Sequence, residues 1–116
     1  MRVIYLLMVL ALVGCSSDRT VKIGNLEVMT EDLGEMNWED AKMACEDLGD
    51  GWRLPTKDEL NILYQNEDKI GGFANFFYWS STEYDNRAAW LQDFKDGEQD
   101  YYTKSITPYV RAVRDL

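Results

Sequence analysis

The sequence contains no histidine, which is the commonest general base in enzymes and the commonest protein ligand of transition metals. Zinc sites, Ser-His-Asp triads and Cys-His nucleophiles are therefore excluded by composition. A hydrolase that uses two carboxylates would need no histidine, but no pair of acids stands out from the general acidity of the chain. We therefore expect a protein that is not an enzyme, with no catalytic residues and no transition-metal cofactor.

Cysteine is almost as scarce, because the chain has only Cys15 and Cys45. If Cys15 is lipidated, no disulfide can form within the domain, and the core must hold without a covalent cross-link. Cys45 has no histidine or basic cluster near it in the sequence that would lower the pKa of its thiol. We interpret it as a small, buried, apolar residue rather than a reactive thiol.

Basic residues are few, with 12 Lys and Arg against 21 Asp and Glu, and the formal net charge is -9. Residues 31–50 carry many acids and only one base, Lys42. This segment repels phosphate, so nucleic-acid binding and electrostatic docking on an anionic bilayer are not expected. We interpret the segment as a solvated acidic face rather than a cation-binding site.

Residues 1–14 have the pattern of a secretory signal peptide. Arg2 supplies a positive start, and the uncharged apolar run over residues 3–13 is too short to span a membrane as a mature helix. The segment Leu12-Val13-Gly14-Cys15 ends that run and resembles a bacterial lipobox. The alternative is an ordinary buried N-terminal helix that ends at Gly14-Cys15.

The resemblance to a lipobox implies that Cys15 carries a diacylglycerol on its thiol and a further acyl chain, such as palmitate, on the new N-terminus. Because about two chains suffice for stable anchoring, we expect the mature protein to be bound to a membrane of the bacterial cell envelope. Residues 15–20 then form a lipid-anchored linker, and residues 21–116 form one domain. Serines follow Cys15, and not the aspartate that retains many lipoproteins at the inner membrane, which favours the outer membrane.

Two capped helices are predicted in the first half of the domain. Asn37 caps the first, with Asp40 in a capping-box position, and Gly49 is the predicted stop. The predicted apolar stripe of this helix consists of Trp38, Ala41, Cys45 and Leu48.

The second helix starts at a capping box formed by Thr56 and Glu59, and it ends before Gly71. Its predicted apolar face consists of Leu60, Leu63 and Tyr64. In the extended segment before it, Trp52 and Leu54 alternate with Arg53. We expect the two apolar residues to enter the core and Arg53 to pair with an acid.

Strands are predicted on both sides of these helices. The predicted segments are residues 20–30 with a turn at Gly24-Asn25, residues 73–81, a hairpin of residues 88–95 and 98–105 around a type I′ turn at Asp96-Gly97, and a final strand over residues 109–114 after Pro108. The order predicts an α+β domain in which both helices pack against one sheet.

Four motifs follow one another along the chain: Trp38-x-x-Ala41-x-x-x-Cys45-x-x-Leu48, Gly51-Trp52-Arg53-Leu54-Pro55-Thr56-x-x-Glu59-Leu60, Tyr78-Trp79-Ser80-Ser81-Thr82-Glu83 and Val110-Arg111-Ala112-Val113-Arg114. Together they resemble the C-terminal domain of the Legionella collagen-like adhesin (Lcl), which is related to the Fibrobacter major paralogous domain. The resemblance runs from about Asn25 onward. It implies a C-type-lectin-like fold, also similar to formylglycine-generating enzymes, in which two helices pack on a small, mostly antiparallel sheet with the terminal strands adjacent.

The chain departs from this family at one informative position. Members often carry a cysteine in the final strand that is expected to bridge to the helix cysteine, but this chain has Ala112 there. Cys45 is therefore left without a partner. The oxidation chemistry of the formylglycine-generating branch depends on a cysteine pair, so the resemblance does not imply that activity here.

The resemblance implies a binding surface made of aromatic and polar side chains. The candidate ligand-binding residues are Trp79, Glu83, Tyr84, Asp85, Asn86 and Trp90. The alternative for Trp79 and Trp90 is that they belong to the core. Oxygen atoms of Glu83, Asp85 and Asn86 could hold calcium, but the Glu-Pro-Asn and Trp-Asn-Asp motifs of calcium-dependent lectins are absent, so we expect no metal site.

Two classes of function remain open. The first is a non-catalytic, lectin-like domain that binds a glycan or another surface ligand. The second is an interaction protein of the envelope that binds a protein partner and no sugar. In one version of this hypothesis, a phage or mobile element encodes it.

Overall fold

The structure is a computed structural model that describes residues 19–116. The predicted signal peptide, the lipidation site at Cys15 and most of the predicted linker lie outside the described residues. Thr20, the last residue of that predicted linker, is already the first residue of a strand. Across the described range, no helix combines the length and the apolar character that a membrane crossing requires.

The described chain forms eight strands and three helices in an α+β arrangement, as the sequence predicts. In chain order they are β1 (Thr20–Ile23), β2 (Leu26–Met29), β3 (Gly34–Glu35), α1 (Trp38–Glu46), α2 (Lys57–Gln65), α3 (Glu67–Ile70), β4 (Phe77–Glu83), β5 (Ala88–Asp93), β6 (Gln99–Thr103), β7 (Tyr109–Val110) and β8 (Val113–Asp115). The prediction of one sheet is wrong, because the strands form a three-stranded sheet, β1-β2-β8, and a five-stranded sheet, β3-β7-β4-β5-β6. Every strand pair is antiparallel except β4 with β7.

The two ends of the described chain meet in the smaller sheet. Strands β1 and β2 form the predicted hairpin around Gly24-Asn25, and β2 pairs with β8, where Val28 faces Val113. The amide of Leu116 also donates to the carbonyl of Asn25 at 3.0 Å. The predicted adjacency of the terminal strands is therefore confirmed.

Helix α1 begins as predicted but ends earlier. The Asn37 side chain accepts a hydrogen bond from the Asp40 amide at 2.9 Å, and the buried face consists of Trp38, Ala41 and Cys45. The prediction that Leu48 completes this stripe is wrong, because Leu48 is exposed. The helix ends at Glu46, so Leu48 no longer follows the helical period.

Helix α2 begins at the predicted capping box, in which Thr56 and Glu59 bond each other reciprocally. Arg53, on the preceding segment, donates to Glu59 at 2.7 Å and to Asp115 at 2.8 Å. Its neighbours Trp52 and Leu54 are buried, as predicted. The helix ends before Gly71, as predicted: α2 ends at Gln65, and a separate short helix, α3, follows it.

The five-stranded sheet lies between α1 and α2. Adjacent residues of a strand point to opposite faces, so Tyr78 and Trp79 enter different parts of the core. Trp79 packs with α1 in one cluster of buried side chains, and Tyr78 packs with α2 and Phe94 in the other. The face of the sheet to which a strand side chain points therefore decides which of the two core clusters it can join.

The β5–β6 hairpin differs from the predicted type I′ hairpin. Its loop contains four residues, because the Asp93 amide donates to the Glu98 carbonyl and the Gly97 amide donates to the Asp93 carbonyl. Phe94 is drawn into the core, which rules out the predicted pairing of residue 95 with residue 98. Loop length sets register, so the longer loop places Trp90 opposite Tyr101.

The predicted final strand over residues 109–114 is wrong as one element. It is divided into β7 and β8, which belong to different sheets, and Arg111 and Ala112 lie between them. The Met29 amide donates to the Ala112 carbonyl, and the buried Arg111 side chain turns toward β2. The predicted strand over residues 73–81 likewise begins only at Phe77.

Candidate functional site

Trp79 is not available to a ligand. Its side chain is 0% exposed, and its indole nitrogen donates to the Met36 carbonyl at 3.0 Å. Both faces of the ring are enclosed by the core between the sheet and α1. Trp79 is therefore a core residue, which was the alternative interpretation of the sequence.

Tyr84 and Trp90 come together on the surface with a residue that the sequence analysis missed, Tyr101. The rings of Tyr84 and Tyr101 stack in parallel with centroids 3.6 Å apart, and each meets the Trp90 ring edge-on, at 6.2 Å and 5.2 Å. Tyr84 is 50% exposed and Tyr101 is 40% exposed. We call these three residues the aromatic surface.

Local backbone geometry positions this surface. The hairpin register sets Tyr101 opposite Trp90, so their side chains share one face. The amides of Tyr84 and Asp85 both donate to the Ala88 carbonyl, which forms a tight turn between β4 and β5. The Asp85 carboxylate closes the turn by accepting from the backbone amides of residues 87 and 88 at 2.8 and 2.9 Å.

Lys57, the first residue of α2, is a second component that the sequence analysis missed. Its ammonium nitrogen lies 3.4 Å from the centroid of the Trp90 ring, a cation–π contact. The Lys57 backbone is fixed on both sides, because its amide donates to the Thr82 hydroxyl and its carbonyl accepts from the Gln99 side chain. One face of Trp90 is therefore already occupied, and the two tyrosines supply most of the accessible ring surface.

The remaining candidate residues lie at the rim of the aromatic surface. Glu83 binds the ammonium of Lys104 at 2.6 Å, and the same ammonium donates to the backbone carbonyl of Asn86 at 3.2 Å. Asp85 uses one oxygen to close its turn. Within residues 19–116, no group of three or more Asp, Glu or Cys side chains is arranged to hold a metal ion.

Both signs of charge occur around the tyrosine pair, because the ammonium groups of Lys57 and Lys104 lie there with the carboxylates of the rim. The adjacent Tyr84 side chain raises the pKa of Tyr101, and the negative charges of Asp100 and Asp85 raise it further. The Asp100 carboxylate folds back and accepts from the Tyr101 amide at 2.8 Å. A ligand that approaches these rings therefore meets carboxylates as well as apolar surface.

Two concave surfaces lie elsewhere on the domain. A cleft of about 530 Å³ contains the Glu27–Arg114 ion pair, which is packed beside Trp52. A groove of about 410 Å³ is mostly apolar and is lined by Glu35, Phe76, Phe77, Ile106, Thr107 and Pro108. Neither contains any of the six candidate residues, so the aromatic surface is a platform rather than a pocket.

Comparison with solved structures identifies the fold. The crystal structure of botrocetin matches with a TM-score of 0.63 at 9% sequence identity, covering 85% of this chain and 98% of botrocetin. Botrocetin in complex with the A1 domain of a von Willebrand factor mutant matches at 0.61, with 10% identity and coverages of 85% and 98%. The snake venom toxin convulxin matches at 0.56, with 15% identity and coverages of 85% and 95%. The fold is C-type-lectin-like, as the resemblance implied.

Comparison at the level of sequence gives the family. No curated protein matches the chain. The family profile described as the Lcl C-terminal domain matches residues 15–114, which is most of the chain and includes all four motifs. This protein belongs to the Lcl C-terminal domain family.

Proposed function

We propose that this protein is a lipid-anchored component of the bacterial envelope, more specifically of the outer membrane, whose domain binds a saccharide without transforming it. The observation that carries the proposal is the stacked, exposed pair of Tyr84 and Tyr101 beside Trp90. Rigid aromatic rings bordered by a few polar groups suit a sugar, which has apolar C–H faces and hydroxyl edges.

The size of the surface sets the expected affinity. Covering on the order of 100 Å² of apolar ring surface contributes about 2.5 kcal/mol, which is less than the roughly 4 kcal/mol of a millimolar complex. A single sugar unit would therefore bind weakly. Many copies anchored in one membrane, facing a repeating polysaccharide, would gain avidity without further contacts.

The proposal of a non-catalytic role is supported by how the rim carboxylates are used. Asp85 accepts from backbone amides and Glu83 pairs with Lys104, so both carry out structural roles. The chain also has no histidine to act as a base. Among the neighbours in fold, botrocetin is described in a complex with another protein, and its fold serves binding there.

A glycan array tests the saccharide proposal. The lipidated protein in detergent micelles is applied with calcium and with a chelator. We expect a calcium-independent signal on repeating saccharides, because the surface uses rings and not metal-bound oxygens. The absence of any glycan signal would contradict the proposal, and a signal lost with the chelator would show that calcium is part of the site.

Membrane fractionation tests the anchor. We expect Cys15→Ala to release the protein from the membrane fraction, because the acyl chains have no other attachment site. Cys45→Ala is the matched control and should stay in the outer-membrane fraction. Persistence of Cys15→Ala in the membrane would contradict the anchor.

A protein partner is a second candidate, and the apolar groove favours it. Phe76 is 47% exposed at this groove, and Tyr102, whose ring packs against Phe77, is 43% exposed. Crosslinking in cells tests this function. This function would be supported by a protein that crosslinks to the wild type and to Tyr84→Ser but not to Phe76→Ser. Loss of the crosslink with Tyr84→Ser alone would assign the contact to the aromatic surface.

A further inference from the structure

Tyr84 and Tyr101 are in closer ring contact than any other tyrosine pair in the described part of the chain. Their centroids are 3.6 Å apart, and their ring planes differ by 3°. Carbon atoms in van der Waals contact are about 3.5–4.0 Å apart, so parallel rings at this centroid distance overlap almost completely. The ring carbons of one tyrosine therefore lie over ring carbons of the other, at the shortest approach that two non-bonded rings allow.

The hydroxyl ends of the two rings lie on the same side of the pair. Both side chains extend from the face of the five-stranded sheet that carries Trp90, and each ring meets Trp90 edge-on. The Tyr84 side chain is also the largest cause of the raised pKa of Tyr101, as expected for neighbouring phenol groups. The carbons next to the hydroxyl group of each ring, Cε1 and Cε2, therefore face their counterparts in the other ring.

A small oxidant can reach these two rings from solvent, because Tyr84 is 50% exposed and Tyr101 is 40% exposed. The contact between Tyr78 and Tyr109 differs in every respect, since its centroids are 5.5 Å apart, its planes are inclined by 50° and Tyr78 is completely buried. Tyr102 is exposed, but its ring packs against a phenylalanine. In the described part of the chain, exposure and parallel contact of two tyrosines therefore coincide only at Tyr84 and Tyr101.

We propose that Tyr84 and Tyr101 are a site of oxidative modification, at which a haem peroxidase and hydrogen peroxide join the two rings as dityrosine. Each phenol loses one electron and its hydroxyl proton, which leaves a phenoxyl radical with unpaired spin on the carbons next to the oxygen. The two radicals form a Cε–Cε bond, and the hydrogen atom on each bonded carbon then moves to the oxygen of its own ring. One hydrogen peroxide molecule takes up the two electrons and two protons and becomes two molecules of water.

The cross-link would stabilise a domain whose described part contains no disulfide, because Cys45 is free and buried. A bond between Tyr84 and Tyr101 would tie the turn after β4 to the edge strand β6. It would close a loop similar in size to the roughly 15-residue loop for which a covalent cross-link markedly restricts the unfolded chain. We therefore expect the melting temperature of the cross-linked monomer to rise by about 10 °C. Saccharide binding is not required, because the coupling needs only the two rings and the oxidant.

Oxidation of the dilute, lipidated protein in micelles by a haem peroxidase with limiting hydrogen peroxide provides the test. We expect the blue fluorescence of dityrosine in a protein that remains monomeric on a denaturing gel and whose mass falls by two hydrogen atoms. After digestion with trypsin, mass spectrometry should find the peptide of residues 70–87, which contains Tyr84, joined to the peptide of residues 96–104, which contains Tyr101.

Phenylalanine variants identify the coupled residues, because they keep the ring and remove only the hydroxyl group from which the radical forms. Tyr84→Phe and Tyr101→Phe should each abolish the joined peptides and the rise in melting temperature. Tyr102→Phe is the matched control, since Tyr102 lies in the same peptide as Tyr101 and is similarly exposed. This variant should form the cross-link as the wild type does.

An oxidised monomer without dityrosine, or dityrosine found only in covalent dimers, would overturn the proposal. Loss of the cross-link with Tyr102→Phe and its retention with Tyr101→Phe would do the same. A cross-linked monomer that melts at the same temperature as the untreated protein would overturn the stabilising role of the bond. The glycan array is a separate measurement, so failure of saccharide binding and failure of the cross-link are distinguishable.

Discussion

Arg111 and Asp32 form an ion pair in the interior of the domain. The Nε atom of Arg111 donates to Asp32 at 2.9 Å, and the guanidinium also donates to the carbonyls of Met29 and Gly71. The second oxygen of Asp32 accepts from the Tyr78 hydroxyl at 2.8 Å. The Arg111 side chain is completely buried, so this network joins the segment between β7 and β8 to the loop after β2.

The Asp32–Arg111 pair gives the first prediction. Asp32→Asn leaves the Arg111 charge buried without its counter-ion, and it should lower the free energy of unfolding by about 3–5 kcal/mol. Glu31→Gln is the control, because Glu31 and Arg19 form an exposed pair 3.8 Å apart that should contribute less than about 1 kcal/mol. Urea denaturation followed by tryptophan fluorescence measures both. Equal losses would contradict the structural role of the buried pair.

The loop of the β5–β6 hairpin gives the second prediction. Gly97 has φ 87°, and a Cβ atom there would lie 2.5 Å from the Tyr64 ring. Gly97→Ala should therefore cost about 1–2 kcal/mol for the left-handed backbone and about 1–3 kcal/mol for overpacking. Gly24→Ala, at φ 58° with open space around it, should show only the backbone cost. Thermal unfolding compares the two, and equal destabilisation would contradict the contact with Tyr64.

The single cysteine of the domain gives the third prediction. Cys45 is buried, and burial, with a smaller contribution from the negative charge of Glu46, raises the pKa of its thiol to about 12. In the lipidated native protein we expect no reaction with a thiol-specific chromogenic reagent at pH 8, and we expect one thiol per chain after denaturation. Rapid reaction in the native state would contradict the burial of Cys45. Two thiols in the denatured protein would contradict the modification of Cys15.

The capping box of α2 gives the fourth prediction, which concerns acid. The hydrogen bond from Arg53 lowers the pKa of Glu59 below its ordinary value of 4.5. A lowered pKa in the folded state means that the ionised carboxylate stabilises the fold above about pH 4.5, and that this contribution is lost as the pH falls through the folded pKa.

Chemical denaturation at several pH values measures this effect. Glu59→Gln should be less stable than the wild type at pH 7, and the difference should become smaller toward pH 3. A difference for Glu59→Gln that is constant from pH 7 to pH 3 would contradict the stabilising role of the ionised carboxylate.

Local signals in the sequence predicted local structure well. The capping box of Thr56 and Glu59 and the cap at Asn37 are confirmed, because each depends on side chains and amides within three residues of one another. The four ordered motifs also predicted the family, which the family profile confirms. Contacts between residues that are far apart in the sequence could not be predicted from such local patterns.

The hairpin shows why the rest could not be predicted. Asp96-Gly97 favours a two-residue turn locally, but the hairpin has a four-residue loop in which Phe94 is buried and Gly97 lies where a Cβ would meet the Tyr64 ring. Tyr101 becomes the partner of Trp90 only through that change of register. Tertiary packing therefore decided both the hairpin and the composition of the candidate site.

The candidate residues themselves divide for a related reason. Trp79 and Tyr84 are similar in sequence terms, but Trp79 faces α1 and is buried, whereas Tyr84 lies beyond the end of β4 and is exposed. The packing of the helices decides which face of a strand is covered. The alternation of apolar and polar residues along the strand does not contain this information.

Two adjacent tyrosines on β6 allow the most direct test of the proposed binding surface. Tyr101 and Tyr102 are similarly exposed, but they point to opposite faces of the sheet, Tyr101 toward Tyr84 and Tyr102 toward Phe77. Calorimetric titration with the best-binding saccharide of the array should show that Tyr101→Ser weakens binding about 3- to 10-fold, whereas Tyr102→Ser leaves it unchanged. Equal weakening by both substitutions, or weakening by Tyr102→Ser alone, would contradict saccharide binding at the aromatic surface.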